Sequence, residues 1–198
     1  MFHPEKHSDK RRHIEIKRAE IKVYIPNKVY DELIRKCREV LEAKRRGEIP
    51  ADKNPKVFGA LIGQKYPDHI EVKDAQIFVR DLRQEEPYKT YMDEMVYKYS
   101  RPCPYCNIED RGWVADPQEV KQIETEASKA GFEVLGYFHM HSCPDPKVDM
   151  SQVSRLDIEL ANPWYASVII DMTSDPPKLR YFMIDEDKQV YECPIEFV

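Results

Sequence analysis

The sequence predicts an α/β protein in which a mixed β-sheet carries helices on both sides. Three observations carry that reading: a long amphipathic helical pattern early in the chain, a short continuous apolar run just after it, and a helix-then-strand alternation followed by three further strand-like segments.

Taken in order, Ile14, Ile16, Ile21, Val23 and Ile25 alternate with mostly charged residues. A break around Arg18 and Ala19 divides them into one or two short half-buried strands that end at Pro26. Asn27 is expected to cap a helix in which Val29, Tyr30, Leu33, Ile34, Cys37, Val40 and Leu41 recur at helical spacing until Gly47. Cys37 falls on the apolar stripe and reads as a buried thiol. After a proline-containing loop from Glu48 to Pro55, the apolar run Val57 to Gly63 reads as a central strand. Ile70, Val72, Ile77 and Val79 form the next strand or strand pair.

Residues 81–112 differ in character, being charged, rich in tyrosine and punctuated by Pro87, Pro102 and Pro104. They read as a surface insertion. Asp116-Pro117 then places a capping carboxylate before a proline at the first helical position, and Val120, Ile123, Ala127 and Ala130 keep one face apolar until Gly131. The strand Val134 to Phe138 runs straight into His139-Met140-His141. A short helix from Ser151 to Leu160 follows, with Ser151 as its expected cap, and strands at Tyr165 to Asp171, Leu179 to Ile184 and Gln189 to Phe197 close the chain.

A chain of 198 residues, 41% hydrophobic and 34% charged, supports one substantial core under a charged surface, so residues 1–198 read as a single domain with the insertion. No run approaches the roughly 18 apolar residues of a membrane span, and Met1 to Arg18 lacks the apolar core of a signal peptide. A cytoplasmic location without membrane attachment is expected. The net charge is -5, and the basic stretch Lys6 to Arg18 is interrupted by Asp9, Ile14, Glu15 and Ile16, which favours a solvated leader over a nucleic-acid surface. The five cysteines do not make an even disulfide set and read as buried thiols and metal-ligand candidates.

His139 and His141 stand two apart at a strand end, so their imidazoles project to one side of the sheet and can converge on one ion. Two imidazoles and one carboxylate suit Zn2+ with a fourth position left for water, the arrangement of a catalytic rather than a structural site. Asp157 can supply the carboxylate, because Ser154 and Asp157 lie about one helical turn apart on neighbouring parts of one face.

Strand, His-x-His, proline-containing loop and Ser-x-x-Asp helix together resemble the JAMM/MPN+ family of isopeptidases. The similarity extends to Trp113-Val-Ala-Asp-Pro-Gln118, the helix after it, Gly131 to His141 and the closing strands. The resemblance implies a curved mixed β-sheet of the JAMM/MPN, cytidine-deaminase-like kind, with zinc on His139, His141 and Asp157, and with Ser154 steadying a tetrahedral intermediate. It also implies amide hydrolysis at the C-terminus of a ubiquitin-like or sulfur-carrier protein, with the tyrosine-rich insertion beside an extended peptide. A homodimer is compatible with this reading.

The chain departs from the family pattern at three places. Lys56 stands where a general-base Glu precedes the glycine of a Glu-x-x-Gly strand, here Lys56-Val-Phe-Gly59. Glu48, Asp52, Asp93, Glu94, Glu109 and Asp110 are the candidate replacements. Met140 separates the histidines where the family has Ser or Thr, and the loop to Ser154 is longer, so that Ser151 competes for the motif serine. Cys143 is near enough to be a ligand itself, and Cys103-Pro-Tyr-Cys106 is half of a zinc site that Cys143 or a histidine would complete, or else a redox-sensitive pair or two unrelated thiols. Because Lys56 replaces the base, a zinc-retaining MPN-type interaction module of weak or no activity is the alternative to an enzyme; a zinc hydrolase of small molecules is the third reading.

Overall fold

The computed structural model describes residues 14–101, 107–146 and 148–198. The basic stretch before Ile14 and the pair Cys103 and Cys106 lie outside them.

Among the described residues, nine strands and four α-helices form a mixed α/β fold. The strands are β1 (Ile16–Arg18), β2 (Lys22–Ile25), β3 (Phe58–Lys65), β4 (His69–Ile77), β5 (Glu133–His141), β6 (Ala166–Asp171), β7 (Lys178–Ile184), β8 (Val190–Cys193) and β9 (Ile195–Phe197). The helices are α1 (Asn27–Arg45), α2 (Tyr88–Tyr99), α3 (Pro117–Lys129) and α4 (Arg155–Leu160). The strands join in one sheet in the order β1-β8-β7-β6-β5-β3-β4-β2-β9.

That order requires a curled sheet. β8 and β9 are separated only by Pro194, and β1 and β2 only by residues 19–21, yet each pair occupies opposite ends of the order. Laid flat at about 4.8 Å spacing, a sheet of this order would hold β8 and β9, seven places apart, roughly 34 Å from each other. Two Cα–Cα steps of about 3.8 Å cannot bridge such a gap. The sheet therefore rolls until its edges meet, and β1 with β2 and β8 with β9 form two bent ribbons that pair in parallel across the seam. Register shifts in β3, at Leu61/Ile62 against β5 and at Ile62/Gly63 against β4, mark bulges that add local twist.

The two faces of the sheet bury different cores. α1 covers one face through Val29, Leu33, Ile34 and Cys37, which pack with Leu61, Leu135, Phe138, Val168 and Tyr181. Cys37 is buried as its stripe position implies, and burial pushes its thiol up to about 12. The opposite face is covered by α3, whose Ile123 and Ala127 pack on Phe58, Ala60, Ile62 and Val134. Farther along that face, Val153 and Ile158 pack on Ile169, Phe182 and Ile184. Gly59 allows the close approach of β3 to its neighbours: a Cβ there would fall 2.0 Å from the Gln76 carbonyl oxygen and 2.6 Å from the Phe138 ring.

Several expectations are corrected. Asn27 is the first residue of α1 rather than its cap, and its N–H donates to the Val198 carbonyl at 2.7 Å. Val79 lies beyond β4 and is exposed. The final strand is split at Pro194, which has no N–H to give to a ladder. Residues 81–112 contain α2, with Met92 and Val96 buried against Leu156 of α4.

That segment is anchored from within by Arg83, whose side chain is fully buried. Its guanidinium donates to the carbonyls of Arg111 and Glu109 and pairs with Asp93 at 2.6 Å. No helix among the described residues is long and apolar enough to cross a membrane.

Candidate metal centre

β5 runs through His141, which puts both histidines at its end as the sequence implies, and this builds the site. β5 pairs with β6 through His139↔Ile169 and His141↔Asp171, and with β3 through Phe58↔His139. Both backbones of the His-x-His pair are thus fixed, and the period of two puts both rings on the face shared with Phe58. Trp113 closes one side: its ring stacks on Phe58 at 5.0 Å between centroids and stands 6.3 Å from His139.

The third member comes from α4. Ser154, not Ser151, caps this helix, and Ser154 with Asp157 forms a reciprocal capping box. The Asp157 N–H donates to Ser154 Oγ at 3.2 Å, while the Ser154 N–H donates to Asp157 Oδ2 at 2.6 Å. The second bond fixes the carboxylate and leaves Oδ1 facing His139. Ser151 sits elsewhere, buried against Asp149 and Arg180.

Three ligand atoms converge as a result. His139 Nε2 and His141 Nε2 are 3.0 Å apart, and Asp157 Oδ1 and Oδ2 lie 3.2 Å from His139 Nε2 and 3.9 Å from His141 Nε2 respectively. All three groups offer atoms within 4.8 Å of one another. The edge of a tetrahedron with metal–nitrogen bonds of about 2.0–2.1 Å is roughly 3.3 Å, so the 3.0 and 3.2 Å separations suit a shared ion, and the 3.9 Å one is longer. His139, His141 and Asp157 can therefore hold a metal ion.

The surroundings favour the ligating protonation states. His141 Nδ1 is 2.7 Å from the Met150 carbonyl, which only accepts, so the proton belongs on Nδ1 and the Nε2 lone pair faces the cluster. Burial, followed by the adjacent His139, lowers the pKa of His141 and disfavours its imidazolium. For Asp157, burial is the largest single influence and acts upward, but His139, His141 and Ser154 together outweigh it, and the carboxyl stays well below the usual carboxylate range.

No protein-family model and no curated protein matches the sequence. Solved structures do match. Protein DSY2949 from Desulfitobacterium hafniense is similar at 18% identity and a TM-score of 0.57, covering 89% of this chain and 92% of that one. A protein from Salinibacter ruber gives 17% identity and a TM-score of 0.46 over 90% and 92% of the two chains. The likeness to the first is one of fold.

The remaining candidates are placed differently. Lys56 precedes β3, and continuing the register of Phe58↔His139 past the Met140 N–H to Val57 carbonyl bond sets it opposite His141, on the histidine face. Its ammonium is held by Asp81 Oδ2 at 2.8 Å and Asp110 Oδ1 at 3.4 Å. Asp110, a candidate base, is buried and accepts also from the Asn54 N–H and Gln84. Asp93 is paired with Arg83 and Lys89, Glu48 with Arg46, and Glu94, Glu109 and Asp52 are exposed.

Cys143 is half-buried and is not one of the three converging groups. Cys103 and Cys106 lie outside the described residues. Asp81 carried no sequence signal for its role, since Lys56 lies 25 positions away. Asp171, opposite His141, spends its oxygens on Thr173 and Ser174 in a turn.

Proposed function

We propose that this chain is a zinc-dependent amide hydrolase of the JAMM/MPN+ kind, acting at the C-terminal linkage of a ubiquitin-like or sulfur-carrier protein. The observation that carries it is the convergence of His139 Nε2, His141 Nε2 and Asp157 Oδ1, each held by its own backbone or hydrogen-bond anchor. Zinc is the ion favoured by two imidazoles and one carboxylate.

A bound zinc ion supplies Lewis-acid activation of water and of an amide carbonyl. The chain does the rest. β5 and the Met150 carbonyl orient the imidazoles, and the capping box orients Asp157. Ser154 Oγ accepts the Asp157 N–H through a lone pair, which leaves the hydroxyl proton to be aimed at a developing oxyanion. The exposed tyrosines of α2, Tyr91 and Tyr97, offer aromatic surface to an extended peptide on a helix that packs beside α4.

One observation favours a second reading, a zinc-retaining interaction module. At the register position opposite His141 the chain presents Lys56, neutralised by Asp81 and Asp110, rather than a carboxylate ready to take a proton.

Turnover of a fluorogenic amide at the C-terminus of a ubiquitin-like protein separates the two. Hydrolysis is expected to require zinc, and Ser154→Ala is expected to lower it about 100-fold, the cost of one oxyanion donor. Loss of the cap alone costs only about 1 kcal/mol of stability, and the Ser154 N–H to Asp157 bond survives, so zinc should still bind. Equal rates for Ser154→Ala and the unaltered chain would reduce Ser154 to a helix cap, and no turnover in either would leave the interaction module.

A further inference from the structure

Met150 lies in the irregular stretch 148–154 before α4, yet one of its atoms decides the chemistry of His141. Its carbonyl sits 2.7 Å from His141 Nδ1 and so selects which ring nitrogen carries the proton. A peptide group in an irregular segment needs external anchors to hold such a position.

The neighbours of Met150 provide them. Asp149 Oδ1 accepts from the Ser151 N–H at 3.0 Å and from Ser151 Oγ at 2.6 Å, and Asp149 Oδ2 accepts from Gln152 Nε2 at 3.0 Å. Ser151, with 1% of its surface exposed, accepts in turn from Arg180 Nη1 at 3.1 Å. The same nitrogen reaches Asp149 Oδ2 at 3.4 Å.

Arg180 is itself immobilised. It stands on β7, two strands from His139 through the register His139↔Ile169↔Arg180. Glu192 on β8 holds its Nε at 2.8 Å and its Nη2 at 2.5 Å in a fork, and its guanidinium carbon lies 5.1 Å from the centre of the Phe182 ring. One edge of the guanidinium is tied to the sheet, leaving the remaining nitrogen to grip the segment on both sides of Met150.

We propose that Arg180, acting through Ser151 and Asp149, is a positioning residue that holds the Met150 carbonyl against His141 and so keeps the Nε2 lone pair aimed at a bound cation. This rests on the reading of His139, His141 and Asp157 as a metal centre. Lysine cannot replace arginine here, because the task needs two N–H groups for Glu192 and a third, on the far side of a rigid plane, for Ser151.

The test is zinc affinity of the full chain, by competition with a chromogenic chelator, together with the imidazole nitrogen NMR signals of His141. Arg180→Gln, Arg180→Lys and Ser151→Ala are compared with the unaltered chain. Arg180→Gln and Arg180→Lys should bind zinc about 10–100-fold more weakly, as loss of support behind a metal-ligating histidine does. Ser151→Ala should weaken binding in the same direction, and in all three the zinc-free His141 should lose its single Nδ1–H tautomer.

Affinities within twofold of the unaltered chain, with the tautomer unchanged, would overturn the proposal. If the Arg180 variants fail to fold, Ser151→Ala, which removes one hydroxyl, decides by the same criteria. An unaltered chain that binds no zinc would overturn the underlying metal reading instead, and so the two failures are distinct.

Discussion

Replacing His141 and Asp157 together by alanine is expected to abolish zinc binding, against about one zinc per chain for the unaltered protein. The double variant leaves His139 as the sole member of the converging group, and one imidazole cannot hold the ion against water. The effect should extend to stability, because a ligand that binds only the folded state adds about 4 kcal/mol at a thousand times its dissociation constant. For a domain of this length that is a rise of roughly 10 °C in the unfolding midpoint.

Thermal unfolding with zinc and with chelator should therefore separate in the unaltered chain and coincide in the double variant, with metal content measured alongside. A metal-free alternative makes the comparison informative: one proton on His139 Nε2, within 3.0 Å of His141 Nε2 and 3.2 Å of Asp157 Oδ1, could hold the same three groups together. Such a cluster would show no separation between the two curves. Equal zinc content in the double variant would place the metal elsewhere.

The second large effect is expected at Lys56. Its side chain is 19% exposed and bridges Asp81 to the nearly buried Asp110, joining the start of β3 to the 81–112 segment. Lys56→Met should cost about 1–3 kcal/mol, because it takes a charged donor from Asp81 and from the buried Asp110, which keeps only the Asn54 N–H, Gln84 and a longer 3.7 Å ion pair with Lys53. Lys56→Glu would put a third carboxylate against Asp81 and Asp110 and should cost more.

Lys56→Glu is also the obvious way to restore the general base that the JAMM/MPN+ resemblance calls for. Because the position is occupied by an ion-pair network, the substitution is expected to lower stability without raising amide hydrolysis. Urea unfolding of both variants checks the first part and the fluorogenic amide the second. A Lys56→Glu chain that is as stable as the unaltered one and hydrolyses faster would overturn the structural role of Lys56.

The legible parts of this molecule were those encoded over short separations. The stripe of α1, the Asp116-Pro117 start of α3 and the period of two that aims His139 and His141 the same way all lie within a turn or a few strand residues. Ser154 and Asp157 were legible for the same reason, although which serine caps α4 depended on the reciprocal bond to Asp157. The curl of the sheet entered only through the resemblance; in the structure it follows from β8 and β9 standing at opposite ends of the order with one residue between them.

What was missed depends on distant partners. α2 exposes Tyr91 and Tyr97 and buries mainly Met92 and Val96, so its apolar stripe is two residues long and shows no sustained period. Asp81 gains meaning only beside Lys56, and Arg180 only beside Ser151, 29 positions away, so neither spacing leaves a local mark.

X-ray absorption at the zinc edge of the zinc-loaded full chain tests the metal centre most directly. The expected spectrum has only nitrogen and oxygen neighbours at about 2.0–2.1 Å, with the outer-shell pattern of two imidazoles from His139 and His141. A sulfur shell at about 2.3 Å would contradict it, moving the ion to cysteines such as Cys143 and taking the proposed hydrolysis away from Asp157.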